Sequence, residues 1–367
     1  MLQALQAIGR RAAQRLGSTA PAADLSDAPA SDASQRGEPG WHRRSAAMMG
    51  TAIDAQLWHP DAGQAASALE AVMAEMHRID RLLSPHRPDS ELSRINAHAA
   101  QGPVQVRGEV FALLARALQF SRLSAGAFDI TYAAVGQLFD YRAGVRPNDD
   151  ALDAARASIG WQHLLLDARD RSVRFARPGM RIDLGGFAKG HAVDNAATIL
   201  RSRGIAHALV SAGGDSRVIG DRRGEPWTVA IRDPRDPSGV VALLPLVDCA
   251  ISTSGDYERG FDEPAGPGRP ARRWHHIIDP ATGRSPDAIH SVTLLAEDGL
   301  TAEALSKTVF VRGVAEGLAL VETVAGADAV VVDARGQLHA TRGLAHLGAA
   351  SSAPSEGSPA QTALNRH

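Results

Sequence analysis

Leu69, Val72, Met73, Met76, Ile79, Leu82 and Leu83 recur at steps of three and four residues, which predicts a helix carrying one apolar stripe. Val110, Phe111, Leu114, Ala117 and Leu118 predict a second helix of the same kind. Further along, the pattern changes to short runs rich in Val, Ile and Leu: HALVS at 207–211, WTVAI at 227–231, VVALLPLV at 240–247, HSVTLLA at 290–296 and DAVVVDA at 328–334. Gly, Asp or Pro bounds most of them, so they read as strands. Two more helices fit between the last two runs, at about 301–312 and 314–324. Because strands mostly follow strands, without regular alternation with helices, the expected class is α+β and not a doubly wound sheet.

The pattern fades at both ends. Residues 18–40 and the tail 349–367 are dominated by Ala, Ser, Pro, Asp and Gly, which bury too little apolar surface to offset the entropy of ordering. They are expected to be a linker and a tail around one folded body at 41–348. The first residues, MLQALQAIGRRAAQRLG, predict a short amphipathic helix. Contact with a membrane surface or a partner is one use for it, and a weakly held terminal helix is the plainer one. No run is long or apolar enough for a signal segment or a membrane span, so the expected compartment is the cytoplasm, with the periplasm as the alternative.

Composition narrows the function classes. Of 367 residues, 44% are hydrophobic, enough for a real core, and 39 basic against 41 acidic residues leave a formal charge of -2. No broad field therefore attracts nucleic acid or anionic lipid, and any phosphate must be held by local groups. The single cysteine, Cys249, excludes an internal disulfide or a thiolate metal cluster.

Four segments hold candidate chemistry. In RIDLGGFAKGHAVDNAATIL at 181–200, an apolar strand end is expected to present Asp183, the pair Gly185–Gly186 permits a tight turn, and a helix is expected from about Lys189. Helix-start N–H groups and the Lys189 ammonium favour a diphosphate there, and Asp183 suits a ribose or ring N–H. An ordinary Gly-Gly turn is an equally good reading, and the spacing matches neither a Walker A loop nor a dinucleotide fingerprint. In SAGGDSRVIG at 211–220, Asp215 follows two glycines, and a structural hairpin turn is favoured over a site. In RRWHHIIDPATGRS at 272–285, His275 and His276 beside Asp279 form a candidate acid/base network. In LTAEALSKTVFVRG at 300–313, Glu303 and Lys307 stand four apart on a helix, where the simplest reading is a solvated ion pair.

Taken in order, these segments and four others resemble the ApbE-type FAD:protein FMN transferases: MMGT at 48–51, IDRLLSPHRPDSELSRIN at 79–96, GAFDIT at 126–131, DLGGFAKGHAVD at 183–194, SAGGD at 211–215, TSGDYERGF at 253–261, HIIDPATGRS at 276–285 and AEALSKTVFVRG at 302–313. The resemblance implies an α+β fold with antiparallel or mixed sheets, flanked by helices around a cleft for FAD, with Mg²⁺ at the diphosphate. It implies transfer of FMN from FAD to a Thr or Ser hydroxyl of a target flavoprotein, with AMP released. Met49, His86, Ala127, Phe128, Asp129, Asp183, Lys189 and His276 would contact the cofactor, Lys189 and His276 would take part in catalysis, and Gly186, Glu303 and Lys307 occupy the metal-ligand positions.

The chain departs from the family pattern at three of these. Glu303 stands where Asp is usual, Lys307 where a ligating Thr is usual, and His86 where a tyrosine commonly stacks on the cofactor. Thr308, one position along, faces about 100° away on a helix. A protonated lysine cannot ligate a metal, though its charge can stand in for a cation. Two rival readings are an FAD pyrophosphatase that admits water in place of the acceptor, and a flavin-binding protein without turnover.

Overall fold

The computed structural model describes residues 39–266 and 271–345. The expected N-terminal helix, most of the linker and the C-terminal tail lie outside these residues. The backbone is organised by one eight-stranded sheet: β1 (Gly40–Met48), β2 (Thr51–His59), β3 (Ala208–Ala212), β4 (Asp215–Ile219), β5 (Ala250–Gly255), β6 (Ile289–Ala296), β7 (Asp328–Asp333) and β8 (Leu338–Ala340). The order across the sheet follows the order along the chain, and every neighbour pair is antiparallel. The α+β expectation is met, and the five strand-like runs all form strands, each within a residue of the expected bounds.

Alternation places the two faces of the sheet in different cores. In β3, Ala208, Val210 and Ala212 point into the main core, while Leu209 packs with the second cluster. Helices α1 (Ala62–Leu83), α2 (Ala188–Ser202) and α3 (Gly299–Arg312) cover the first face, with α1 packed on α2 and α2 on α3. The stripe foreseen on α1 is buried in full, from Leu69 to Leu83. On the other face, the hairpin of Trp227–Arg232 and Val240–Leu246 closes over Val218, Ile251 and Val330. A third small cluster joins Val135, Phe139, Leu152, Trp274 and Ile278.

Insertions in the meander carry the chemistry. Between β2 and β3 the chain makes a long excursion that returns through the Gly-Gly segment into α2, and the turn from β3 to β4 ends on Asp215. Helix α3 enters between β6 and β7. It is buried on nearly every side, with Ala302, Ala304, Leu305, Val309 and Phe310 wholly inaccessible. Thus the Glu303–Lys307 pair, expected on a solvated surface, lies in the interior.

A candidate diphosphate site with a closed charge cluster

Segment 181–187 is not the end of a strand, as the sequence suggested, but an irregular stretch fixed from outside. Asn96 grips it with both ends of its amide: Nδ2 donates to Ile182 O at 2.9 Å, and Ile182 N–H donates to Asn96 Oδ1 at 2.8 Å. Asp183 N–H donates to Ile130 O at 2.9 Å, which ties the Gly-Gly segment to the GAFDIT segment. The Asp183 carboxylate accepts the Gly185 N–H at 2.5 Å and so shapes the turn itself. Burial pushes its pKa up, against the pull of that amide and of nearby His86, Arg259 and Arg181.

Lys189, in the first turn of α2, does not point freely at a ligand. Its ammonium contacts Asp215 Oδ2 and lies 2.5 Å from Glu303 Oε1. Glu303 Oε2 accepts the Gly190 N–H at 2.8 Å, so a protein carboxylate already satisfies one of the helix-start amides assigned to a phosphate. The remaining oxygen of the pair, Asp215 Oδ1, accepts from Ser252 Oγ at 2.6 Å. Lys307 Nζ reaches Glu303 Oε1 at 3.4 Å, a longer contact than that of Lys189. Two ammoniums and two carboxylates thus neutralise one another, with Glu303 fully inaccessible and Asp215 2% exposed. The opposed carboxylates draw the Lys189 pKa above its ordinary value against the cost of burial, whereas burial dominates at Lys307 and lowers it.

His276 borders this cluster. Its N–H donates to Arg259 O at 3.0 Å, and Arg259 Nη2 in turn reaches Gly50 O at 3.4 Å, which brings the β1–β2 turn with Met49 alongside. Burial, then the neighbouring His275 and Lys307, holds the imidazole down at about 3, so it is neutral at ordinary pH. Met49 and Gly50 form a two-residue turn with φ of 55° and 71°, the left-handed geometry that suits the twist of a tight hairpin. His86 is exposed on the turn after α1, within electrostatic reach of Asp183.

Other expected residues serve the scaffold. The Phe128 ring is buried in contact with Phe120 and Phe187 and faces the core. Asp129 is likewise committed: one oxygen accepts from Thr131 N–H and Oγ1, the other from Trp161 N–H at 2.8 Å. Ala127 is half-buried beside them. His275 and Asp279 do not form an acid/base pair with His276, because His275 Nε2 meets Pro286 O at 2.8 Å and Asp279 caps its own turn through Ala281 and Thr282. Asp215, read from sequence as a plain hairpin residue, belongs to the cluster. Arg259 and Tyr132 were missed altogether. Tyr132 directly follows GAFDIT and feels the charges of Asp183 and Glu303, and Arg259 lies within TSGDYERGF.

The donors at Gly186, Glu303 and Lys307 do not fit Mg²⁺. That ion takes six oxygen ligands in a near-ideal octahedron. Here all four oxygens of Glu303 and Asp215 are engaged by protein donors, and an ammonium stands at a ligand position. No group of three or more His, Cys, Asp or Glu suited to a metal occurs among the described residues. A separate groove of about 620 Å³, lined by Arg78, Arg94 and Arg107, shares no residue with this cluster, and these arginines are paired with Glu75, Glu109 and Glu91.

Residues 49–331 match the ApbE family. An FAD:protein FMN transferase of Treponema pallidum is 33% identical over 323 residues, covering 83% of this chain and 87% of the relative. One from Vibrio cholerae is 36% identical over 258 residues, covering 66% and 75%. Among solved structures, the ApbE protein of Thermotoga maritima superposes with a TM-score of 0.76 at 31% identity, covering 84% of this chain and 99% of that one. The flavin transferase ApbE of Vibrio cholerae gives 0.72 at 28% identity, with the same coverage. A match that runs from the first hairpin through β7, joined to relatives of this identity over most of both lengths, means that the chain belongs to the ApbE family.

Proposed function

We propose that this chain is an FAD:protein FMN transferase that moves the FMN half of FAD onto a hydroxyl of a target protein. The activity is that named for its relatives, and the observation that carries it here is the meeting of the Asp183 turn, His276 and the buried Lys189–Asp215–Glu303–Lys307 cluster in one region. The acceptor we assign is a Thr or Ser side chain. Its oxygen bonds to the FMN-side phosphorus, the bond from that phosphorus to the bridging oxygen breaks, and AMP departs with that oxygen. The hydroxyl proton leaves to a neutral base and then to solvent.

We assign that base to His276, which is neutral and so free to take a proton, but which is a weak base in the free protein. A bound diphosphate beside it raises its basicity, since a nearby anion favours imidazolium. Asp183, fixed by the Gly185 amide, is assigned to orient the nucleotide, and Met49 and His86 are assigned to contact it. Such transfers depend chiefly on positioning and on charge stabilisation. The magnesium ion implied by the family resemblance forms no part of this reading, because the donors do not fit it.

The test is to incubate purified protein with FAD and a candidate flavoprotein, then to follow in-gel flavin fluorescence and AMP. Covalent flavin in step with AMP is expected. AMP and FMN without any labelled acceptor points instead to hydrolysis, and FAD binding with no AMP to a protein without turnover.

A further inference from the structure

We propose that Lys307 is a built-in cation: its ammonium supplies the positive charge at the FAD diphosphate, and no divalent ion binds between Glu303 and the Gly186 turn. This rests on the FAD-binding part of the function proposed above. Charge comes first. Without nucleotide, Lys189 and Lys307 balance Asp215 and Glu303, so a divalent ion bound by the protein alone would add two uncompensated charges next to a carboxylate with no access to water.

Coordination is the second ground. With each carboxylate oxygen holding a protein donor, binding Mg²⁺ would first require breaking the contacts to Lys189, Gly190 or Ser252. The third ground is the position of the Lys307 side chain. Its Cε lies 3.4 Å from where a β-carbon on Gly186 would sit, so the stem runs against the Gly-Gly turn assigned to the diphosphate. Of the two ammoniums, that of Lys189 is shared by two carboxylates, whereas Lys307 pairs with one among the described residues, Glu303, at 3.4 Å. With one ion-pair partner against two, Lys307 keeps more of its three N–H donors for phosphate oxygens than Lys189 does. Its charge also reaches His276, which places it at the reacting end of the cluster.

Three measurements test this: Mn²⁺ binding by electron paramagnetic resonance, FAD affinity by flavin fluorescence with Mg²⁺ or with EDTA, and AMP release under the same two conditions. For the wild-type chain, no bound Mn²⁺ is expected, and FAD affinity and AMP release should change less than twofold on addition of EDTA. Lys307→Met should weaken FAD tenfold or more in EDTA. Glu303→Asp combined with Lys307→Thr should restore oxygen donors, bind Mn²⁺ and make FAD affinity depend on Mg²⁺. Stoichiometric Mn²⁺ on the wild-type chain, or a tenfold loss of its FAD affinity in EDTA, overturns the proposal whatever the variants do. Metal-free FAD binding with no flavin ever transferred would leave it standing and remove the transferase reading instead.

Discussion

Gly190 and Gly299 bring the backbones of α2 and α3 into direct contact: a β-carbon on Gly190 would stand 2.4 Å from Gly299 O, and one on Gly299 would stand 2.6 Å from Gly190 O. Only this closeness lets Glu303, one turn into α3, accept the Gly190 N–H and reach Lys189.

Gly190→Ala should therefore push the two helices apart. Overpacking of this kind costs about 1–3 kcal/mol, and no flexible side chain is present to yield. Denaturant unfolding should register the loss, and FAD affinity should fall with it, because the Glu303 contacts open together.

Lys189→Met removes the shared counter-ion and leaves Asp215 and Glu303 facing each other, both almost wholly buried. Breaking a buried pair from one side costs roughly 3–5 kcal/mol. The expected outcome is a markedly lower unfolding midpoint, partly recovered when Asp215→Asn is added. A single variant as stable as the wild type would show that the cluster is not a structural unit.

Asn96→Ala should loosen the Gly-Gly segment without touching any ligand. Two hydrogen bonds from the Asn96 amide to the backbone of Ile182 disappear, each worth about 1 kcal/mol. Since these bonds hold the stretch that carries Asp183, the KM for FAD should rise several-fold while kcat at saturating FAD changes little.

His276 gives a dependence on pH. Its folded-state pKa of about 3 lies below the ordinary 6.5, so acid favours the unfolded chain, which binds the proton more readily. The stability linked to this group is present above about pH 6.5 and is lost as pH falls toward 3. In nuclear magnetic resonance the wild-type ring should remain neutral at pH 5, and His276→Gln should show a shallower fall in Tm between pH 6.5 and 4. A ring that titrates near 6.5 would refute the neutral base.

The sequence made the elements legible because each obeys a simple period: the α1 stripe, and the runs that became β3, β6 and β7. It also led to the segments that meet around Asp183, His276 and the charge cluster. Directions and depths were less accessible. Nothing in GAFDIT reveals that the Phe128 ring turns to Phe120 and Phe187 while the backbone beside it bonds to Asp183. The four-residue spacing of Glu303 and Lys307 was plain, yet their burial depends on helices and strands brought from distant parts of the chain. The apolar residues on all sides of α3 were the available signal for it. Asp215 looked like a hairpin residue because it is one; its second role depends on a lysine that a separate insertion delivers.

The order of the sheet bears on how the protein reaches its native state. Six of the seven strand pairings join strands separated by a turn or a modest insertion, but β2 must find β3 across the long excursion from His59 to Ala208, in the register Ile53 to Ala212. Distant pairings of this kind form slowly, because loop closure must precede any reward from contact. Met49 and Gly50 travel with the N-terminal hairpin, so they join Arg259 and His276 only once that seam has zipped. A fragment that ends before Ala208 lacks Arg259, His276, Glu303 and Lys307, and also the strand against which the hairpin carrying Met49 and Gly50 is seated.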